Sequence, residues 1–155
     1  MDLLLIRHAK AESFASSDSA RALTEQGREQ ARKVGQFLEQ QQLVPDLTLA
    51  SPLVRARQTA EIICDASGAG QPSIAAWLAC GMRPSTALSE LTAYHEFQRI
   101  AIVGHNPDFE YLAEWLLGSQ AGGVHVRKAS VIHFSRVRPP SQGGLLEMVL
   151  PVSVI

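Results

Sequence analysis

At 155 residues the chain has the length of one domain (1–155) and enough mass to bury roughly two-thirds of the surface its unfolded form exposes. Its 46% hydrophobic and 19% charged residues exclude a disordered or low-complexity polymer. A formal net charge of −1 gives no general attraction to nucleic acid or an anionic membrane, so neither is expected as a partner and any anion site must be local.

Residues 2–7 are a short apolar run without alternation, which predicts a strand buried on both faces. Leu3 to Ile6 is far shorter than a signal-peptide core, and no stretch approaches a membrane span, so a cytoplasmic location is expected. Residues 12–22, serine-rich with Asp18 and Arg21, read as a polar loop. Thr24 is the expected N-cap of a helix to about residue 42, with Ala31, Val34, Phe37 and Leu38 at helical spacing and Gly35 as a small cost. Asp46 to Ala50 reads as a second strand. Ser51-Pro52 predicts an N-cap followed by proline at the first helical position, opening a helix to about Ala66. Gly68 to Gly70 ends it, and residues 73–78 are expected as a third strand.

A helix from about Pro84 to Phe97 leads to a buried strand at Arg99 to Gly104. Asn106-Pro107 repeats the cap-and-proline signature before a helix with Phe109, Leu112, Ala113 and Leu116 on one face, closed by Gly118. Residues 128–137 and 144–151 are the last two strands, joined by a turn from Pro139-Pro140 to Gly144. Strands alternating with helices predict an α/β fold: a three-layer α/β/α sandwich around a mainly parallel, mixed sheet of about six strands, with helices on both faces. The two cysteines, Cys64 and Cys80, are too few for a disulfide framework, lack zinc-site spacing, and are expected as buried core thiols.

Four side chains fall just past the carboxyl ends of predicted strands, where open α/β sheets bind their ligands: Arg7, His8, Arg55 and His105. Arg55 belongs to the first turn of one helix and His105 directly precedes another, so two helix N-termini present N–H groups and positive partial charge to the same region. An arginine fork fits a phosphate bidentately, and several cations aimed at one oxyanion supply the stabilisation that phosphoryl transfer demands. Neutral imidazole is a competent nucleophile near pH 7. His8, directly on a rigid strand, is the better candidate, with His105 donating to the phosphoryl oxygens. Taken singly each residue has a plainer reading, such as a surface histidine or a solvated arginine; the combination points to chemistry. No carboxylate cluster resembles a metal site, so neither metal nor cofactor is expected.

Arg7-His8, the Ser-Pro-x-x-Arg-Ala-x-Gln-Thr-Ala run of residues 51–60 and Gly104-His105-Asn106-Pro107 resemble the histidine phosphatase superfamily, also called phosphoglycerate-mutase-like. The segment from Ser17 to Gly27 and the short length resemble its compact SixA-type branch of phosphohistidine phosphatases. The resemblance implies that His8 is transiently phosphorylated, that Arg7 and Arg55 clamp the phosphoryl group, that His105 completes the pocket, and that Arg21 is a further substrate contact. Arg21 has an equal alternative, tying down the loop through Asp18.

Two departures from the family pattern stand out. Ala9 replaces the usual glycine, adding a methyl group beside the pocket. Larger members place a glutamate acid after the third strand, whereas residues 77–90 here hold one carboxylate, Glu90, inside a predicted helix. An alkoxide leaving group needs a proton, and a positioned acid contributes roughly 10²–10⁴-fold; a protonated imidazole leaves without one. The expected function is therefore hydrolysis of phosphohistidine on a signalling protein. The alternatives are a small-molecule phosphomonoesterase with the same chemistry and a non-catalytic phosphate-binding module. A mutase fits less well, because it needs a longer chain to enclose its intermediate.

Overall fold

A computed structural model describes the whole chain, Met1–Ile155. The first apolar run forms β1 (Asp2–Arg7), in which Leu3, Leu4, Leu5 and Ile6 are wholly buried. Each such side chain stabilises the fold by about 1.5–3 kcal/mol. The other strands are β2 (Leu47–Ala50), β3 (Ser73–Ile74), β4 (Arg99–Gly104), β5 (Val131–Ser135) and β6 (Leu145–Leu150), and they make one sheet in the order β3-β2-β4-β1-β5-β6. The first four are mutually parallel, while β5 runs antiparallel to both its neighbours, β1 and β6, so the sheet is mixed as expected.

Four helices, α1 (Glu25–Gln40), α2 (Val54–Ser67), α3 (Pro84–Leu91) and α4 (Asp108–Leu117), cover the two faces. Alternation along the strands divides the core. Leu3, Leu5, Leu49, Ile100 and Ile102 face a cluster with Leu88, Leu91, Phe109 and Leu112 of α3 and α4. Leu4, Ile6, Ala50, Ala101 and Val103 face Val34, Leu38, Ala60 and Ile63 of α1 and α2. Because both faces carry helices, these strands show no polar alternation in sequence. No helix is long and apolar enough to cross a membrane.

Thr24 caps α1 as expected, its Oγ1 accepting from the Gly27 N–H at 3.0 Å. The other caps differ from the sequence reading. α2 begins at Val54 with Leu53 in the cap position, so neither Ser51 nor Pro52 does what the cap signature suggested. Ser51 is fully buried and spends its hydroxyl elsewhere. α4 begins at Asp108 after Pro107, and the Asn106-Pro107 peptide is cis. The Asn106 amide reaches Glu110 and the Val126 carbonyl instead of capping the helix. The third strand is only two exposed residues at the sheet edge, followed by a 3₁₀ turn at Ala76–Leu78. The helix expected to reach Phe97 ends at Leu91 and tightens into a 3₁₀ turn at Thr92–Tyr94.

Gly35 has a tertiary reason. A Cβ there would lie 2.6 Å from Ala66 Cβ and 2.7 Å from the Ile63 carbonyl oxygen, so α1 and α2 meet too closely for any side chain. Gly104 is likewise a matter of space, since a Cβ would fall 2.8 Å from Phe109 Cζ. Gly35→Ala gains about 1 kcal/mol of helix propensity, but the overpacking costs typically 1–3 kcal/mol and the backbone oxygen cannot give way. Denaturant unfolding is expected to show net destabilisation, whereas Gly70→Ala, with open space around it, changes stability by less than about 0.5 kcal/mol.

Candidate active site

The parallel pairing brings three strand ends together. β4 lies between β1 and β2, with Arg7 opposite Gly104 and Ala50 opposite Val103. One residue further on, the His8 N–H donates to the Gly104 carbonyl at 2.9 Å and the Ser51 N–H to the Val103 carbonyl at 3.0 Å. His8, Ser51 and His105 therefore emerge side by side, and α2 delivers Arg55 from its first turn. The His8 and His105 rings lie 5.3 Å apart, centroid to centroid, at 56°. Three of the four sequence candidates are buried, with His8 7%, Arg55 4% and His105 2% exposed; Arg7 is half-buried.

His8 Nδ1 lies 2.8 Å from the Ala9 carbonyl oxygen. A carbonyl only accepts, so Nδ1 carries the proton and Nε2 holds a free lone pair. The Arg55 Nε–H points at that lone pair from 3.3 Å. Two threads fix the pair: Thr59 Oγ1 donates to the Arg55 carbonyl at 2.7 Å and accepts from the Ala9 N–H at 3.1 Å. Gln58 meanwhile accepts from the Leu23 N–H at 2.8 Å, anchoring the end of the polar loop. The Ala9 methyl group is fully buried in the α1–α2 core and does not narrow the pocket.

His105 Nε2 and Ser51 Oγ are 2.7 Å apart, while His105 Nδ1 is buried without a partner. Arg7 donates from Nη1 to the Val126 carbonyl at 2.9 Å, leaving its Nε buried and unpartnered. Burial depresses both imidazoles. His8 falls to about 3, with the cations of Arg55 and Arg7 adding to the effect and the Ala9 hydrogen bond opposing it. His105 falls to about 4 through burial and the Arg55 charge. Both rings are neutral at pH 7.

Asp18 is the residue that sequence reasoning undervalued. Its carbonyl accepts from Arg55 Nη1 at 2.9 Å, and its Oδ2 accepts from Arg55 Nη2 at 3.2 Å. Its Oδ1 accepts from Arg21 Nε at 3.0 Å, and Arg21 also bonds the Glu12 carbonyl. Arg21 thus ties down the loop, and Asp18 joins the two guanidinium groups. Hydrogen bonding from Arg21 and the charge of Arg55 hold the Asp18 carboxyl below its usual range. It stays ionised and makes a poor proton donor.

Cys80 is exposed, contrary to the core-thiol expectation, with Sγ 3.9 Å from Arg55 Nη2; Cys64 is buried. The buried Asp108 carboxylate accepts from the Gly81 and Met82 N–H groups at 2.9 and 3.1 Å and fixes the turn that carries this thiol. Glu90 is exposed on α3. No three His, Cys, Asp or Glu side chains converge as metal donors would. Ser51, Thr59 and Asp108 escaped the sequence reading because each partner lies far along the chain; the signal available for Ser51 and Thr59 was their place in the 51–60 run.

The model of the histidine phosphatase superfamily (branch 1) matches residues 3–79. An uncharacterised protein of Picosynechococcus sp. is 33% identical over 141 residues, covering 85% of this chain and 83% of that protein. The chain belongs to the histidine phosphatase superfamily. Within the superfamily, phosphohistidine phosphatase SixA of Escherichia coli is 37% identical over 65 residues, covering 42% of this chain and 40% of its own length. A structure of the protein histidine phosphatase SixA complexed with tungstate matches with a TM-score of 0.89 over 99% of both chains at 22% identity, a likeness of fold. This histidine phosphatase is SixA-like in that sense.

The depressed imidazoles give a direct expectation. A folded pKa below the ordinary 6.5 means protonation only in stronger acid, so His8 and His105 remain neutral at pH 5.5. A ¹⁵N NMR titration checks this; His8 titrating near 6.5 would show that the ring is not buried in solution.

Proposed function

We propose that this chain is a protein phosphohistidine phosphatase that works through a phosphorylated His8, without a metal. The observation that carries the reading is the His8 ring, locked through Nδ1, with an unprotonated Nε2 facing the Arg55 Nε–H and the His105 imidazole beside it.

In the first step Nε2 attacks phosphorus, the bond from phosphorus to the substrate's imidazole nitrogen breaks, and that imidazole leaves carrying a proton from solvent. The phosphoryl oxygens take the donors of Arg55, of Arg7 Nε and of His105. The incoming anion raises the pKa of His105, because an opposite charge favours the imidazolium, and strengthens its hydrogen bond as charge develops. Arg55 must exchange its Asp18 partner for the phosphoryl group, like for like in charge. In the second step water attacks the phosphorus on His8, inorganic phosphate leaves, and Nε2 recovers its lone pair.

The leaving group is the reason to prefer phosphohistidine. Asp18 is held ionised and Glu90 lies exposed on α3, so neither is poised to protonate an alkoxide, and Asp108 is engaged by the Gly81 and Met82 N–H groups. A protein substrate also fits the exposed loop of residues 12–19 beside the site. A cytoplasmic location and the single-domain reading of residues 1–155 accompany this proposal.

Incubation with phosphoramidate is expected to give acid-labile, alkali-stable labelling of His8. His8→Ala should lose both label and turnover while keeping the native circular dichroism spectrum, with a lowered unfolding midpoint because truncating the buried ring leaves a cavity. No label on the wild type would favour a binding module. Faster turnover of a sugar phosphate than of a phosphohistidine peptide would favour a small-molecule phosphatase. Arg55→Lys keeps the charge and loses the fork; a fall in kcat/KM of about 10²-fold or more is expected, and near-normal kinetics would mean that charge alone suffices. Chelators are expected to leave the rate unchanged, and inhibition reversed by added metal would contradict the scheme.

A further inference from the structure

Beside Arg7 runs a groove of about 350 Å³ whose walls include Gln30, His125, Arg127 and Lys128, floored by residues 151–153. No acidic side chain lines it. Arg127, Lys128 and the nearby Lys10 take part in no ion pair, in a chain whose net charge is −1. Burial and the charges of Arg7, Arg21 and Lys10 all hold the Lys128 ammonium below its usual range, so these cations sense one another. Glu110 lies against His125 and Arg7, and Asp18 pairs with Arg21, but Arg127, Lys128 and Lys10 have no acidic partner; unneutralised like charges repel and cost stability.

The segment that carries them is rigid. Val126 is fully buried, its N–H donates to Glu110 at 2.9 Å, and its carbonyl accepts from both Arg7 Nη1 and the Asn106 amide. Three residues on, Ala129 adopts φ 58°, left-handed for a non-glycine residue, and its N–H donates to the Arg7 carbonyl at 3.1 Å. His125, Arg127 and Lys128 are thus exposed side chains on a strap pinned to the same strand end as Arg7 and His8. Cations held in place in this way lose less freedom on binding than cations on a free loop.

We propose that the 125–128 strap is a recognition surface for acidic residues flanking the phosphorylated side chain of a protein substrate. This deepens the phosphohistidine reading and rests on it for the identity of the modified residue. The groove opens from Arg7 itself, so an acidic segment lying in it would leave the adjoining phosphoryl group at His8. A protein fits better than a nucleic acid because the cations are few and confined to one short strap, whereas phosphate-backbone binding draws on a longer basic track.

Two phosphohistidine peptides, identical except for Glu or Gln at the flanking positions, test the proposal. The wild type should prefer the Glu peptide in kcat/KM by roughly tenfold at low ionic strength, and the preference should fade at high salt. The Arg127→Gln/Lys128→Gln double variant should show a ratio near one throughout. A ratio near one in the wild type, or one unaltered in the variant, overturns the proposal. Should neither peptide turn over, the phosphohistidine reading fails, and fluorescence anisotropy of the unphosphorylated peptides decides the strap separately. Tighter binding of the Glu peptide that the double variant loses would uphold it, and equal binding of both would end it. An RNA oligonucleotide that binds more tightly than the Glu peptide through the same two residues would also overturn it.

Discussion

The parallel insertion of β4 between β1 and β2 is the constraint from which the site follows. Its register sets Arg7 opposite Gly104 and Ala50 opposite Val103. Shifting either pairing by one residue would turn an apolar row toward the wrong helix layer, so burial of Leu4, Ile6, Ala101 and Val103 on one face and of Leu3, Leu5, Ile100 and Ile102 on the other locks it. Strand ends that are level in this way bring His8, Ser51 and His105 out together, although the chain visits them far apart. The hydrophobic effect supplies the energy, and the alternation of the strands makes it specific.

On that platform the site is held by hydrogen bonds that cross between elements. Thr59 links α2 to the end of β1, Ser51 links β2 to His105, and Val126 links Arg7 to Asn106. Each of these bonds is buried or half-buried, where water competes little. They orient two imidazoles that burial keeps neutral, beside two guanidinium groups that remain charged. An imidazole free of a second proton and cations able to receive an anion are thereby set in adjacent groups. Asp18 accepts from both terminal nitrogens of Arg55, so the buried guanidinium is paired.

Glycine use follows the same logic of close approach. Gly35 lets α1 and α2 touch, and Gly104 leaves room for the Phe109 ring at the foot of the site. In both cases the reason lies across the fold, so the helix-propensity cost noted at Gly35 was a local view of a nonlocal fact.

Much of the architecture was legible in the chain itself. Buried parallel strands announce themselves as apolar runs, so β1, β2 and β4 were visible, as were α1 with its Thr24 cap and the mixed character given by β5 and β6. Arg7, His8, Arg55 and His105 could be named as candidates because ligand-binding groups gather at strand ends in such sheets. The cap signatures at Ser51-Pro52 and Asn106-Pro107 misled, because buried side chains there found stronger partners than a helix N-terminus. Cys80 at the surface beside Arg55, the Asp18 bridge and the basic strap from His125 to Lys128 could be decided only by tertiary structure. Local sequence governs what a residue can do with its near neighbours, whereas these features depend on which distant groups the folded sheet brings within reach.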